Sequence, residues 1–468
     1  MKKRIAIISV FQDYKPGYSL TGIVRDQITM LQKYGHEVTL FVSENCNEDS
    51  FEGFTNIKKV MPFAHLKDYT SRTQITPDHL KTVAKNIEVY ERELKDIDIA
   101  FTHDLVFTGW NLPYAKAIME GSTRVPHVRW LHWIHSIPSL NRDWWNIRMY
   151  TKAHKIVYPN NTERTRVAEQ FQGIREDVRV IHHIKDLRTW MEFHPDTMAL
   201  IDEYPALMQA DVVQILPASV DRLESKRVRE VMLIFSNFKR MGLSVCLCIV
   251  NQWATGTQQK QDVEHYNKIA RRNGLTPDEC FFTSGVKAEW EVGVSRRMIR
   301  ELFACSNLFI FPTREESFGL VVPEAAHAGV LMMLNKSLDM MHEVGGMASL
   351  YADFGSHHRG LQIPNNDEKN YFKGLANIII GRMKENEAIT SKTHARQKYN
   401  YDYLYNRQYA PVMSESEMWP APSNPAVLKE KASLPPGMQH KGQRPPTIVV
   451  QDKHGNQKVV ELTRGSKP

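Results

Sequence analysis

Apolar residues along this chain come in short runs, separated by longer stretches in which they recur every three or four positions. That alternation predicts strands and helices taking turns. RIAIISVF (4–11) reads as a strand, TGIVRDQITMLQKYG (21–35) as an amphipathic helix closed by Gly35, and HEVTLFVSE (36–44) as the next strand. Strands are also expected at 96–104 (DIDIAFTHD) and 125–136 (VPHVRWLHWIHS), with a helix between them in 114–121. A second series opens at 212–218 with a strand, continues through a loop and amphipathic helix over 220–242, and returns as a strand at 244–250. The run LFIF (308–311) suits a strand buried on both faces, and Pro312 closes it. A polar turn follows, and from about Pro323 the segment PEAAHAG reads as a helix that Gly329 ends. Repeated strand–helix–strand units of this kind make the fold class α/β.

Two glutamates eight positions apart, Glu316 and Glu324, frame that polar turn and helix start. In an open parallel sheet this is where a ligand binds, beyond the carboxyl ends of the strands. Backbone N–H groups at a helix start attract phosphate or sugar oxygens, and a carboxylate beside them can accept hydrogen bonds from paired hydroxyls such as those of a ribose. Read from the residues alone, the same segment also suits a capped helix behind a solvated acidic turn.

The segment 312–329 resembles the E-x7-E region of glycosyltransferase family 4, retaining enzymes of the GT-B fold. Glu316, Phe318, Gly319, Leu320, Glu324 and Ala325 match the family's turn and helix, and Ser317 stands where a small residue is usual. The resemblance implies that Glu316 with Ser317, Phe318, Gly319 and Leu320 holds a donor sugar and that Glu324 holds the nucleotide ribose. Upstream, Arg222 and Lys226 match an Arg and a Lys that grip the donor diphosphate in the family. A guanidinium fork and an ammonium point charge suit a leaving diphosphate. Arg227 stands where the family has Gly, so a differently shaped loop is expected there. Gly35, His36, Glu37 and Val38 match the family's strand entry, while Gly17 and Thr21 with Gly22 meet its Gly pair only in part. Gly22 is the implied backbone contact to the donor phosphate.

The strands at 96–104 and 125–136 end in histidines, and the family bears a His at the end of the later one. His135 is the first choice, followed by His132 and His103. The implied catalytic set is therefore Arg222, Lys226, Glu316 and His135, with no metal and no cofactor beyond the nucleotide-sugar co-substrate. Asp96 and Asp98 form a nominal D-x-D but lead into a strand rather than ending one, so they are not read as a metal site. Trp130, Trp133, Trp144 and Trp145, interleaved with Arg129, Arg142 and Arg148, could stack sugars or extruded bases, lie on a lipid surface, or be core residues with a solvated basic face.

Four segments are expected. The family's architecture of two Rossmann-like domains facing across a cleft would place an acceptor-side domain at 1–185, ending after VRVIHH (178–183), and a nucleotide-sugar domain at 186–398. A terminal helix over 399–413, within RQKYNYDYLYNRQYAPVM (396–413), would cross back to the first domain, and 414–468 would be a low-complexity extension rich in Pro, Ser, Lys and Gln. Within that extension, TIVVQDKHGNQKVVEL (447–462) alternates around His454-Gly455-Asn456 like a small β-hairpin. Five cysteines suit neither a disulfide framework nor a four-ligand zinc site, and together with apolar runs too short to cross a bilayer they suggest a cytoplasmic protein.

The expected function is retaining transfer of a hexose-type sugar from a nucleotide-sugar donor to a hydroxyl, on a saccharide or lipid-linked acceptor. A net charge of +7, from 60 basic against 53 acidic residues, permits an anionic partner without naming one. Transfer to hydroxylated bases of nucleic acid is therefore an alternative, as is peripheral contact with a membrane. A non-catalytic nucleotide-sugar or nucleic-acid binding protein is a further alternative. So is a phosphorylase or epimerase-like enzyme, although no pyridoxal phosphate lysine signature is seen.

Overall fold

The computed structural model describes residues 2–15, 17–64, 75–106, 111–136, 147, 150, 153–347, 349–358, 360, 367–415, 447–451 and 457–461. It forms two compact units, Met1–Met418 and Trp419–Pro468.

The first unit contains two parallel systems of strands. Seven strands make the first sheet: β1 (Arg4–Ile8), β2 (Glu37–Ser43), β3 (Ile57–Met61), β4 (Ile99–His103), β5 (Arg129–Trp133), β6 (His154–Tyr158) and β7 (Val178–Val180). Their order is β3-β2-β1-β4-β5-β6-β7, and every pairing is parallel. Parallel strands need crossovers on the sheet faces, so both faces are covered and the central strands are buried. Ile5, Ala6, Ile7 and Ile8 of β1 are fully buried for this reason. The first crossover is the helix Ser19–Lys33, and Gly35 ends it with a φ of +77° that suits glycine.

The second system comprises β8 (Val212–Ser219), β9 (Val245–Gln252), β10 (Cys280–Phe282), β11 (Leu308–Phe311), β12 (Leu331–Asn335) and β13 (Leu350–Ala352). Backbone ladders join β10-β9-β8 and β11-β12-β13. Side chains bridge the seam between β8 and β11. The Gln214 amide donates to the Ile310 carbonyl and accepts from the Ile310 N–H, each at 2.9 Å. Asn307 Oδ1 and Ser306 Oγ accept from the backbone of Val213 and Ile215. A buried backbone polar group must find a partner, and here polar side chains supply what a ladder would have. The order reverses at this seam: β8 leads through the helix Val228–Arg240 to β9, and β11 leads through Val321–His327 to β12. Such a switch point opens a crevice at the carboxyl ends of the central strands.

Residues 396–413 are divided between two helices. Glu387–Lys398 ends before Asn400, whose side chain caps the next helix by accepting from the Tyr403 N–H at 2.8 Å. The segment Tyr401–Ser414, wound in its middle as a wider π turn, runs back onto the first sheet's helices. Tyr405 stacks on Tyr34 at 3.6 Å between ring centroids, and its hydroxyl meets His36 Nε2 at 2.7 Å. Glu415 pairs with buried Lys155 and with Arg179. In the second unit, Thr447–Gln451 and Gln457–Glu461 pair antiparallel as the expected hairpin, and its turn at 454–456 lies outside the described residues. The five cysteines are free and buried. Among the described residues no helix is long and apolar enough to cross a membrane.

Candidate functional site

The two motif segments meet at the switch point. After β8 the chain makes a short helical turn over Val220–Arg222, and the Lys226 N–H donates to the Arg222 carbonyl at 2.8 Å. The Arg314 N–H, in the turn after β11, donates to the Ser225 carbonyl at 2.8 Å, so the two turns are tied main chain to main chain. Lys226 Nζ is thereby placed against Glu316 Oε2 in an ion pair, 90 residues apart in sequence. The side chains of both are mostly buried, at 10% and 16% exposure, and the ammonium also lies 4.8 Å from the centre of the Phe311 ring. A mostly buried cation facing one carboxylate and one ring face is a strong anion site if that carboxylate turns away.

Arg227 stands where the resemblance has Gly. It takes a left-handed φ of +54°, a conformation that glycine adopts at little cost, and holds it while its guanidinium pairs with Glu230 at 2.9 Å. In the second turn Gly319 has a φ of +76°, and a β-carbon there would lie 3.3 Å from Glu316 Cγ. Ser317, Phe318 and Leu320 are exposed, with Phe318 at 52% and Leu320 at 71%. The helix carrying Glu324 begins at Val321, two residues before the expected start, and keeps Pro323 in its first turn. Glu324 is partly exposed and faces Arg296 at 3.6 Å. Arg222 turns to Glu315, also at 3.6 Å, and makes no ion pair with Glu316. Arg296 and Glu315 escape a motif reading because neither belongs to a recognisable spacing.

Gly22 and His135 sit at the carboxyl end of the first sheet. Gly22 lies in the first turn of the helix that follows β1, with its α-carbon face open apart from the tip of Arg25. His135 follows β5, and its ring centre lies 5.2 Å from that of His103 and 5.1 Å from that of His183. Its backbone N–H donates to Asp104 Oδ1 at 2.9 Å. Burial, reinforced by His183, pushes the His135 imidazole down to about 3. Asp104 holds a left-handed φ of +51°, and burial raises its carboxyl to about 6 against the opposing His135 N–H. Asp104, His183 and Gln27, which reaches His103, escape sequence reasoning because only the tertiary fold brings them together.

Other candidates prove structural. His132 is fully buried between Thr102 and His154, at 2.8 and 2.9 Å, where no ligand reaches it. Trp130 and Trp133 are core residues: Trp130 packs on Tyr90 and His154, and Trp133 on Phe101 and Tyr409. Arg129 donates to the Met413 carbonyl. Trp144, Trp145, Arg142 and Arg148 lie outside the described residues. Asp98 accepts from the Arg4 N–H at 2.7 Å and Asp96 pairs with the Arg4 guanidinium, which ties both to the edge of β1. Among the described residues no group of three metal-ligating side chains forms.

Two doubly wound parallel systems, joined after β7 and tied back by a carboxy-terminal helical segment, make the GT-B arrangement. A glycosyltransferase from Rickettsia africae is similar over 88% of this chain and 98% of its own, at 12% identity and a TM-score of 0.34. HepE from Anabaena, crystallised with UDP-glucose, is similar over 88% of this chain and all of its own, at 14% identity and a TM-score of 0.31. Sucrose-phosphate synthase from Thermosynechococcus elongatus is similar over 87% of this chain and 97% of its own, at 16% identity and a TM-score of 0.30. No curated protein matches the chain by sequence. Residues 23–188, which span most of the first sheet, match the model described as Glycosyltransferase Family 4.

Proposed function

We propose that this glycosyltransferase transfers a hexose-type sugar, with retention, from a nucleotide-sugar donor to a hydroxyl on a saccharide or glycolipid acceptor. The observation that carries the reading is the Lys226–Glu316 pair, in which a cation and a carboxylate from two different turns converge where the strand order reverses. The donor diphosphate takes the place of Glu316 on Lys226, and Arg222 leaves Glu315 to join it. Released, Glu316 accepts from the sugar hydroxyls, while the turn amides from Ser317 to Leu320 hold the sugar and phosphate oxygens. Glu324 accepts from the ribose hydroxyls, Gly22 offers its backbone to the donor phosphate, and His135 orients the sugar from the other sheet.

In the transfer step the acceptor oxygen bonds to the anomeric carbon on the face the diphosphate leaves. The carbon–oxygen bond to phosphate breaks, and the acceptor proton passes to the departing phosphate oxygen. Negative charge grows on the diphosphate as that bond breaks, so Arg222 and Lys226 stabilise the transition state more than the ground state. The protein itself supplies this neutralisation, and the reading calls for no metal.

The test is a thermal-shift and hydrolysis screen of the purified chain against UDP, GDP, ADP and CMP sugars, with Glu324→Ala and Lys226→Ala alongside. One nucleotide sugar should raise the melting temperature, and Glu324→Ala should abolish most of that rise while folding normally. Lys226→Ala should lose donor turnover by about 10²-fold or more, the scale set by removing one preorganised charge-stabilising group. An unmodified chain that responds to none of these donors overturns the reading.

A further inference from the structure

At the end of the first sheet a chain of four side chains terminates on a bare ring nitrogen. Gln27 Nε2 donates to the Tyr409 hydroxyl at 2.9 Å, and Gln27 Oε1 lies 2.9 Å from His103 Nε2. His103 Nδ1 lies 2.9 Å from His135 Nε2. An amide oxygen can only accept, so His103 carries its proton on Nε2. Burial holds both imidazoles neutral, which leaves His103 Nδ1 as a lone pair and requires His135 to donate from Nε2. The second nitrogen of His135, Nδ1, is then a lone pair, buried and without a partner among the described residues. A buried acceptor left unmet in the ligand-free protein marks a place for a donor.

We infer that Gln27 and His103 are positioning residues that fix the tautomer of His135, so that His135 Nδ1 presents an acceptor to a hydroxyl of the bound ligand. That the hydroxyl belongs to the donor sugar rests on the function proposed above; the tautomer does not. The His183 ring centre lies 5.1 Å from that of His135, Asp104 accepts from the His135 backbone N–H, Trp133 stacks on His103 at 5.5 Å, and Tyr409 anchors Gln27 from the carboxy-terminal segment. A nitrogen fixed as an acceptor selects an O–H and gives nothing to a group that only accepts. The site therefore favours a sugar bearing a hydroxyl at that position over its deoxy or fluoro counterpart.

The tautomer is read by nitrogen NMR on the full chain labelled with ¹⁵N-histidine, with His135→Gln identifying the His135 signals. Unmodified protein at neutral pH should show His135 protonated on Nε2 and bare on Nδ1. Gln27→Met keeps the bulk but removes the acceptor, and should convert this to a mixture of tautomers. Gln27→Glu, which still offers an oxygen to His103, should restore the single form. His135 protonated on Nδ1 in the unmodified chain overturns the inference, and so does a single unchanged tautomer in a folded Gln27→Met. If Gln27→Met does not fold, the unmodified and Gln27→Glu spectra decide it. The measurement needs no ligand, so it stands whether or not the nucleotide-sugar screen succeeds. Saturation with the sugar nucleotide that stabilises the chain should then move the Nδ1 resonance toward its hydrogen-bonded position. Binding without that movement, or no binding at all, removes the ligand half of the inference.

Discussion

Arg227 carries a conformational burden that a sequence motif would assign to glycine. Holding a left-handed φ of +54° costs a side chain about 1–2 kcal/mol, and the residue recovers part of it through the pair with Glu230. Arg227→Gly should therefore be close to neutral in stability, because relief of the backbone is offset by the lost pair and by a looser unfolded chain. It should also keep donor-dependent stabilisation, since the turn retains its shape. Melting curves with and without nucleotide sugar check both, and a large loss of donor response would give the guanidinium a role of its own. Residues of this kind divide what the sequence discloses from what it conceals. Arg222, Lys226, Glu316 and Glu324 are legible because each sits at a fixed local offset from a strand end. Gln27, Asp104 and His183 join the candidates His103 and His135 in one cluster drawn from separated segments, and no window of sequence contains it.

The turn from Pro312 to Leu320 is fastened at its base. Asn335, at the end of β12, donates to the Thr313 carbonyl at 2.9 Å, and Arg314 is bound to the neighbouring turn, so the loop is held at its base from two sides. Gly319 sits where the backbone is left-handed and where a methyl group would press on Glu316 Cγ at 3.3 Å. Gly319→Ala should cost about 1 kcal/mol or more in stability. Its larger effect should be on function, because Glu316 cannot then hold its present position beside Lys226. The expected outcome is a modest fall in melting temperature with a disproportionate loss of nucleotide-sugar stabilisation; equal losses would show that the turn serves the fold alone. Long periodic elements here were legible from pattern, whereas β3 (IKKVM), β6 (HKIVY) and β12 (LMMLN) were not. Each is short, and lysine or methionine blurs its apolar signature, so tertiary pairing rather than local preference makes it a strand.

The whole molecule concentrates neutral histidines inside the first sheet, and that gives its stability a definite direction with pH. Burial lowers His132 and His135 to about 3 and holds His103 and His154 well below the usual range, against about 6.5 in an unfolded chain. Between those values the unfolded chain binds more protons than the folded one. The histidine contribution is therefore complete above about pH 6.5 and is lost as the pH falls. For His132 alone the loss at pH 5 is on the order of 2 kcal/mol. Two carboxylates of the carboxy-terminal segment are held below their ordinary range against burial, Asp402 by the Tyr34 hydroxyl with Lys33 and Arg188, and Glu415 by Arg179 and Lys155, and they add to the loss at lower pH. Asp104 opposes it: with its carboxyl raised to about 6, its contribution is present in acid and is lost as the pH rises through that value. Asp26, whose carboxyl burial also raises, acts in the same sense, and these two groups do not balance four buried imidazoles. The melting temperature should therefore fall as the pH drops from about 6.5 to 5, and His132→Gln, which cannot be protonated, should flatten part of that slope at the expense of stability at neutral pH. A flat profile in the unmodified chain, or an unchanged slope in a folded variant, would remove these histidines as the source of the acid lability.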